Sequence, residues 1–154
     1  MEKASIRAAR ASDLPELNRM NIAIHQYLAK KEGVKFSKGD LGHERIRTED
    51  LRRTKYYVAT ACGSIIGLIS FSKKTRNDEW FGRYVYLDEF FVDERFRGIG
   101  LGTRLFKVAL AYARKKKANM RVVTTARNRN TIRLYRKFGF RVKNVEMLLT
   151  TSKS

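Results

Sequence analysis

Polar and apolar positions change period several times along the chain, and each change marks an element. Ser5–Ala9 reads as a short first strand. Behind it, Ser12-Asp13-Leu14-Pro15-Glu16 offers an N-cap, an early proline and an acidic first turn, after which Leu14, Leu17, Ile24 and Leu28 mark a helix to about Lys31. Glu32–Asp40 is polar, holds two glycines and reads as a loop, and Gly42–Arg53 predicts a second, highly charged helix. Lys55–Thr60 and Ser64–Ser72 are β-rich runs around Cys62-Gly63-Ser64, the pattern of an antiparallel hairpin. Lys73–Gly82 is polar and reads as a connection to a central strand, Arg83–Val92.

Helical spacing returns after that strand, with Leu101, Leu105, Val108, Ala109 and Tyr112 on one face. The basic cluster Arg114-Lys115-Lys116-Lys117 suits the C-terminal end of the helix dipole. Met120–Thr125 then predicts a strand, Asn130–Lys137 a short helix and Arg141–Leu149 a final strand. The order β-α-α-β-β-β-α-β-α-β predicts an α/β fold of the α+β kind. Its mixed, mainly antiparallel sheet would be flanked by helices, with a parallel crossover from Tyr84 to Thr125. No repeat or low-complexity linker divides the 154 residues, so one domain is expected.

The junction of the central strand and the following helix carries the strongest chemical signal. Arg95-Phe96-Arg97-Gly98-Ile99-Gly100-Leu101-Gly102-Thr103 places three glycines at alternate positions in a turn at a helix start. Glycine lets backbone N–H groups close on a ligand, and the first N–H groups of a helix have no internal partner and favour an anion. Arg95, Arg97 and Arg104 add positive charge that can fork onto phosphate. The segment reads as a pyrophosphate cradle. It is not a dinucleotide fingerprint, because Thr103 stands where the third glycine belongs and no acidic residue occurs between Glu94 and Glu146. A Walker loop is absent from the chain.

Arg95-Phe96-Arg97-Gly98-Ile99-Gly100 resembles the acetyl-CoA-binding motif of the Gcn5-related N-acetyltransferases, Arg/Gln-x-x-Gly-x-Gly/Ala, at every defined position. A second signature of that family, an Asn followed by a helix ending in Tyr-x-x-x-Gly-Phe, is matched by Asn128 through Tyr135 to Gly139-Phe140, with Thr131 where the family commonly has Ala. The resemblance implies a sheet whose central strands splay apart to admit the coenzyme. It implies acetyl-CoA as cosubstrate, held by backbone of Phe90, Phe91 and Val92, by the segment Arg95 to Thr103 including Ile99 and Leu101, and by Asn128 or the nearby Asn130. Transfer would pass directly to a primary amine in a ternary complex. Tyr135 would stand near the CoA sulfur as the general acid.

For the base, Asp88 and Glu89 adjoin on the central strand. Successive strand residues face opposite ways, so only one should reach the acceptor unless a bulge intervenes. Asp78, Glu79, Trp80 and Phe81 could line the acceptor pocket. His25 and His43 have no partner at metal spacing, so no metal is expected, and the single cysteine, Cys62, excludes an internal disulfide. No apolar run reaches the ~20 residues of a membrane span. A cytoplasmic protein is expected.

Charge adds a second theme. Thirty-four Lys and Arg against 15 Asp and Glu give +19, and residues 94–154 supply +15 of it. A polyanionic coenzyme accounts for part of this excess, and an acidic or nucleic-acid-associated partner would account for more. The alternative reading is a non-catalytic basic module that binds nucleic acid or ribosomes. It gives no reason for the glycine turn and the Asn/Tyr helix to occur together. The net charge disfavours a free polycation as acceptor and favours a neutral or anionic amine, small or on a protein, unless a local acidic pocket intervenes. A second copy of the chain is a further candidate partner.

Overall fold

Cys62 and Gly63 turn the chain between strand β2 (Lys55–Ala61) and strand β3 (Ser64–Asp78), both with positive φ, 48° and 73°. Two such residues form the loop whose twist matches that of a hairpin. In the computed structural model, which describes residues 4–37, 45–78 and 82–151 (of 75–78 the backbone alone), five strands follow one another across a single sheet in chain order. β1 (Ser5–Ala8), β2, β3 and β4 (Gly82–Val92) pair antiparallel, and β5 (Asn119–Arg121) lies parallel to β4. Helix α3 (Leu101–Lys115) makes the crossover between β4 and β5. The mixed, mainly antiparallel sheet flanked by helices is the architecture expected from the element order.

Each face of the sheet has its own apolar layer. On one, α3 buries Leu101, Leu105, Phe106 and Ala109 against Ile69, Phe71, Val85 and Leu87. On the other, helix α1 (Leu14–Glu32) buries Leu17, Met20 and Ile24 against Val58, Ile65 and Leu68. Alternation along β3 divides it between the two layers, as a strand buried on both faces requires. Gly67 lets α3 approach closely: a Cβ there would stand 2.9 Å from Leu105 Cδ1 and 3.3 Å from the Phe91 carbonyl oxygen.

Several boundaries depart from the sequence reading. The connection Lys73–Gly82 is mostly strand, because Lys73 and Lys74 pair with Val85 and Tyr84 and Asp78 with Gly82, so a ladder overrides their polarity. Of the helix read over Gly42–Arg53, the described residues 45–53 hold only the four-residue α2 (Asp50–Arg53). Asn18 instead pins the preceding backbone onto α1: its Nδ2 donates to Leu14 O and Ile46 O, and Ile46 N donates to its Oδ1 (2.8 Å). The strand read over Met120–Thr125 ends at Arg121, where its pairing with β4 ends. Arg141–Leu149 forms no strand, since no ladder among the described residues reaches it. Helix α4 (Arg129–Lys137) lies between these two stretches.

Candidate active site

β4 is straddled by two irregularities that open the sheet. The first is a register shift against β3: Ser70 pairs with Glu89, but Phe71 pairs with Leu87, so Asp88 is an extra residue. Leu87 and Phe90 both join the α3 layer although they are three apart. In an unbroken strand they would face opposite ways. The bulge resolves this by turning both intervening residues, Asp88 and Glu89, toward the α1 face. Sequence alternation alone would have separated the two carboxylates.

The second irregularity is the end of the β4–β5 ladder. β5 pairs only with Tyr84, Val85 and Tyr86, so from Leu87 to Val92 no strand of the described residues lies along that side of β4. Phe90, Phe91 and Val92 occupy this open stretch. Their side chains do structural work: the Phe90 ring packs on Phe106 (5.8 Å), and Phe91 lies edge-on to Tyr27 (6.0 Å) on the opposite face.

The glycine cradle stands at the end of β4. Asp93 caps a short turn (Glu94–Phe96) by accepting from Arg95 N at 3.0 Å. Gly98 and Gly100 then adopt φ of 78° and 79°, and a Cβ built on either meets nothing of the chain within 4 Å. Both positions therefore border open space and favour glycine for their backbone shape. The first bond of α3 runs from Arg104 N to Gly100 O (3.0 Å), and neither a side-chain cap nor an acidic residue occupies its first turn. Leu101, Gly102 and Thr103 thus present N–H groups at the positive end of the helix. Ile99 is exposed at the crest of the turn.

The flanking arginines have partners of their own. Arg95 forks onto Asp93 (Nη2 to Oδ2, 2.9 Å). Arg97 donates Nε to Val92 O (2.8 Å), with its guanidinium over the rings of Tyr27 and Phe91. Arg104 donates to Ala4 O (2.8 Å). The cradle is thus built from backbone and a helix end, with these cations framing it.

Beyond the open stretch of β4 lie the two residues of the second signature. Tyr135 is buried on α4 among Phe106 (5.5 Å), Phe140 (5.6 Å) and Phe90 (6.5 Å). Burial raises its hydroxyl pKa well above that of a free phenol, and the nearby Tyr86 adds to the shift. Asn128 is buried at the N-terminus of α4, yet its side chain does not cap the helix. Its Nδ2 meets Thr124 Oγ1 at 3.2 Å, while its Oδ1 is buried with no hydrogen-bond partner among the described residues. A buried acceptor left this way is costly unless a donor from outside completes it. Asn130, the substitute suggested by sequence, is exposed.

The carboxylate face contains residues that the sequence reading passed over. Ser70 and Ser72 are buried on β3, and the Ser70 hydroxyl has no hydrogen-bond partner among the described residues. Burial raises the Asp88 pKa above the usual carboxylate range, against the opposing pull of the adjacent Ser72 hydroxyl and the Lys74 charge. Asp88 is exposed to solvent as a residue, yet enough protein crowds its carboxyl to disfavour the charge. Tyr56 is pushed up to about 12, chiefly by burial and then by Asp50, Asp88 and Glu89. The legible signal was two serines at alternate positions of an apolar strand, Ile69-Ser70-Phe71-Ser72, which puts both hydroxyls on one face.

Asp78 lies at the end of β3, its side chain undescribed, and Glu79, Trp80, Phe81 and His43 lie outside the described residues. A groove between α1 and residues 45–49, lined by Leu14, Asn18, Ile22 and Ile46 among others, includes no residue of the cradle or the carboxylate face. Among the described residues no group of three or more His, Cys, Asp or Glu could hold a metal, and no helix is long and apolar enough to cross a membrane.

Known proteins resemble this chain in sequence and in fold. The family model for the acetyltransferase (GNAT) family matches residues 22–140. Spermine/spermidine N(1)-acetyltransferase of Bacillus subtilis is 31% identical over 103 residues, 62% of this chain and 67% of that protein. Mouse thialysine N-epsilon-acetyltransferase is 27% identical over 153 residues, 90% of this chain and 85% of that one. Among solved structures, a Bacillus halodurans protein superposes with a TM-score of 0.80 at 21% identity, covering 95% of this chain and 99% of its own. A Clostridium acetobutylicum protein described as a predicted acetyltransferase with acetyl-CoA gives 0.71 at 17% identity, covering 96% of each chain. At such identities these structures speak to the fold alone.

Proposed function

Because the chain belongs to the acetyltransferase (GNAT) family, we propose that it transfers acetyl from acetyl-CoA to a primary amine at the end of an alkyl chain. The observation that carries this reading is the open stretch of β4, with a glycine cradle at its end and, before α4, a buried Asn128 Oδ1 without a hydrogen-bond partner among the described residues. These groups fit the coenzyme. N–H groups at the start of α3 would hold its pyrophosphate, Asn128 Oδ1 would accept from an amide N–H of its pantetheine arm, and unpaired backbone of β4 would bond that arm as an added strand does. Acetyl-CoA, when bound, supplies the acetyl group as a thioester reactive toward amines.

The remaining chemistry belongs to the chain. An alkylammonium has a pKa of about 10.4 and cannot attack until it loses a proton. Asp88 or Glu89, directly or through water, takes that proton on the α1 face, and Tyr135 Oη keeps a proton for the sulfur side. Two carboxylates on one face also supply the local acidity that a cationic amine needs inside a strongly basic protein. Both relatives named above act, by their names, on compounds carrying an aliphatic primary amine, which supports this acceptor class over an arylamine or hydroxyl.

The test has two arms. Calorimetry with acetyl-CoA should show binding that Gly100→Glu abolishes, since the new side chain enters the cradle with a negative charge. CoA-release assays across polyamines, lysine analogues, aminoglycosides and peptide N-termini should show turnover confined to aminoalkyl acceptors. Unchanged affinity in Gly100→Glu would remove the cradle assignment. Turnover only on peptide N-termini would replace the acceptor class.

A further inference from the structure

The carboxylate face of the sheet carries cations as well. Val85 and Met120 pair across β4 and β5 and lie in the α3 layer, so their neighbours Tyr86 and Arg121, also paired, face the α1 side. On β3, Phe71 belongs to the α3 layer, and Ser72 and Lys74 therefore face the α1 side too, opposite Tyr86 and Tyr84. Lys74 Nζ stands 5.5 Å from the centroid of the Tyr86 ring, and Arg121 Cζ stands 6.0 Å from it. All three residues are half-buried, so the two charges are held on the sheet and do not reach fully into solvent.

Tyr86 is the last residue of β4 that pairs on both sides, with Ser72 and with Arg121, and the bulge at Asp88 follows two residues later. It therefore sits at the root of the opening. Burial is the main cause that raises the pKa of its hydroxyl; Asp88 adds to the rise and Arg121 opposes it. Tyr86 in turn adds to the upward shift that burial imposes on Tyr135. Charges of both signs thus reach one hydroxyl beside the site.

We propose that the acceptor is an ω-amino acid, whose terminal amine meets Asp88 or Glu89 while its carboxylate meets Lys74 and Arg121 at the root of the opening. The proposal rests on the acetyltransferase reading above and narrows its acceptor class. Spacing along the sheet supports it. Glu89 lies opposite Ser70 and Tyr86 opposite Ser72, so the acidic and basic ends are two strand residues apart, or about 7 Å. An extended alkyl chain of about five carbons covers that distance. A guanidinium forks onto a carboxylate, and Lys74 adds a second positive charge beside it. A diamine of the same length would instead press its far ammonium against both cations. A zwitterion also carries no net charge, so the field of a +19 protein does not repel it.

The experiment compares three acceptors on the full chain. Free ε-aminocaproate, its amide and cadaverine offer a negative, a neutral and a positive far end on chains of matched length. In CoA-release assays kcat/KM should fall in that order, by about tenfold from carboxylate to amide. Lys74→Gln combined with Arg121→Gln should bring the carboxylate-to-amide ratio toward unity, and Arg121→Lys should keep part of it. Asp88 also feels the Lys74 charge, but a change in the base acts on both acceptors alike, so the ratio isolates the far end. Thermal melting checks that the variants fold, and the three acceptors on the unaltered chain need no variant. Equal rates on carboxylate and amide, or the best rate on cadaverine, would overturn the proposal and leave the aminoalkyl class standing. A ratio that survives in the folded double variant would overturn the part given to Lys74 and Arg121. Turnover of none of the three, with peptide N-termini accepted, would remove the acceptor class itself and this proposal with it.

Discussion

Asp88 is the residue at which stability and chemistry pull in opposite directions. Burial holds its pKa above the usual carboxylate range, so the folded state favours the protonated form. Its contribution to stability is therefore complete at low pH and is lost as pH rises through the raised value. The proton removal proposed above for Asp88 or Glu89 needs the charged form, so if Asp88 fills that role activity should rise over that same interval. Asp88→Asn is predicted to abolish the acid limb of kcat/KM while leaving the protein at least as stable at pH 7, which pH–rate profiles and urea titrations would check. If the limb survives and Glu89→Gln removes it, the proton acceptor is Glu89. For Tyr135, whose hydroxyl stays protonated throughout the working range, Tyr135→Phe should lower kcat by roughly 10²–10⁴-fold with little change in coenzyme affinity. An unaltered kcat, with chemistry rate-limiting, would leave Tyr135 only its place among Phe90, Phe106 and Phe140.

At the scale of elements, the site depends on how α3 sits on the sheet. Its first turn forms the cradle, and its register against β3 is set where Leu105 lies over Gly67. Gly67→Ala would place a methyl 2.9 Å from Leu105 Cδ1, with the Phe91 carbonyl oxygen at 3.3 Å and Ala59 Cβ at 3.4 Å on other sides. Leu105 can rotate, but backbone cannot yield cheaply. A loss of about 1–3 kcal/mol is expected in urea denaturation. Acetyl-CoA affinity should fall with it, because a displaced α3 carries its N–H groups along. Retention of full affinity at reduced stability would show that the cradle is positioned by β4 alone. At Gly102 a Cβ would meet the Phe90 ring at 3.4 Å, an ordinary contact with no positive φ to strain it, so Gly102→Ala should be tolerated better than the same change at Gly98 or Gly100.

For the whole molecule, the general field and the local site act against each other. A net charge of +19 repels free polycations at a distance, while Asp88, Glu89 and Asp50 around Tyr56 attract an ammonium at short range. Salt screens the first more than the second, because short-range pairs lie within a Debye length of about 8 Å at 0.15 M. With a polyamine acceptor, kcat/KM should therefore increase between low and moderate salt, whereas a neutral monoamine should respond little. Best turnover on a free polyamine with no improvement from salt would remove the role given to the overall charge. The concentration of +15 in residues 94–154 exceeds what one coenzyme needs, and the fold itself does not account for it.

Local patterns determined much of this protein without help from tertiary structure. The Cys62-Gly63 hairpin, the helices from Leu14 and Leu101, and the glycine turn all follow from neighbours a few residues apart, whose spacing or φ preference acts in the chain itself. Strands are different, because a strand exists only where a partner supplies its ladder. Lys73–Asp78 became strand since β4 runs beside it, whereas Val122–Thr125 and Arg141–Leu149 did not, for want of a strand partner among the described residues. The shared face of Asp88 and Glu89 also came from pairing: one extra residue against Ser70 and Phe71 reversed an alternation that the sequence alone would have kept. Residue types pointed to a chemistry, and the register of β4 decided that its two carboxylates share one side of the sheet.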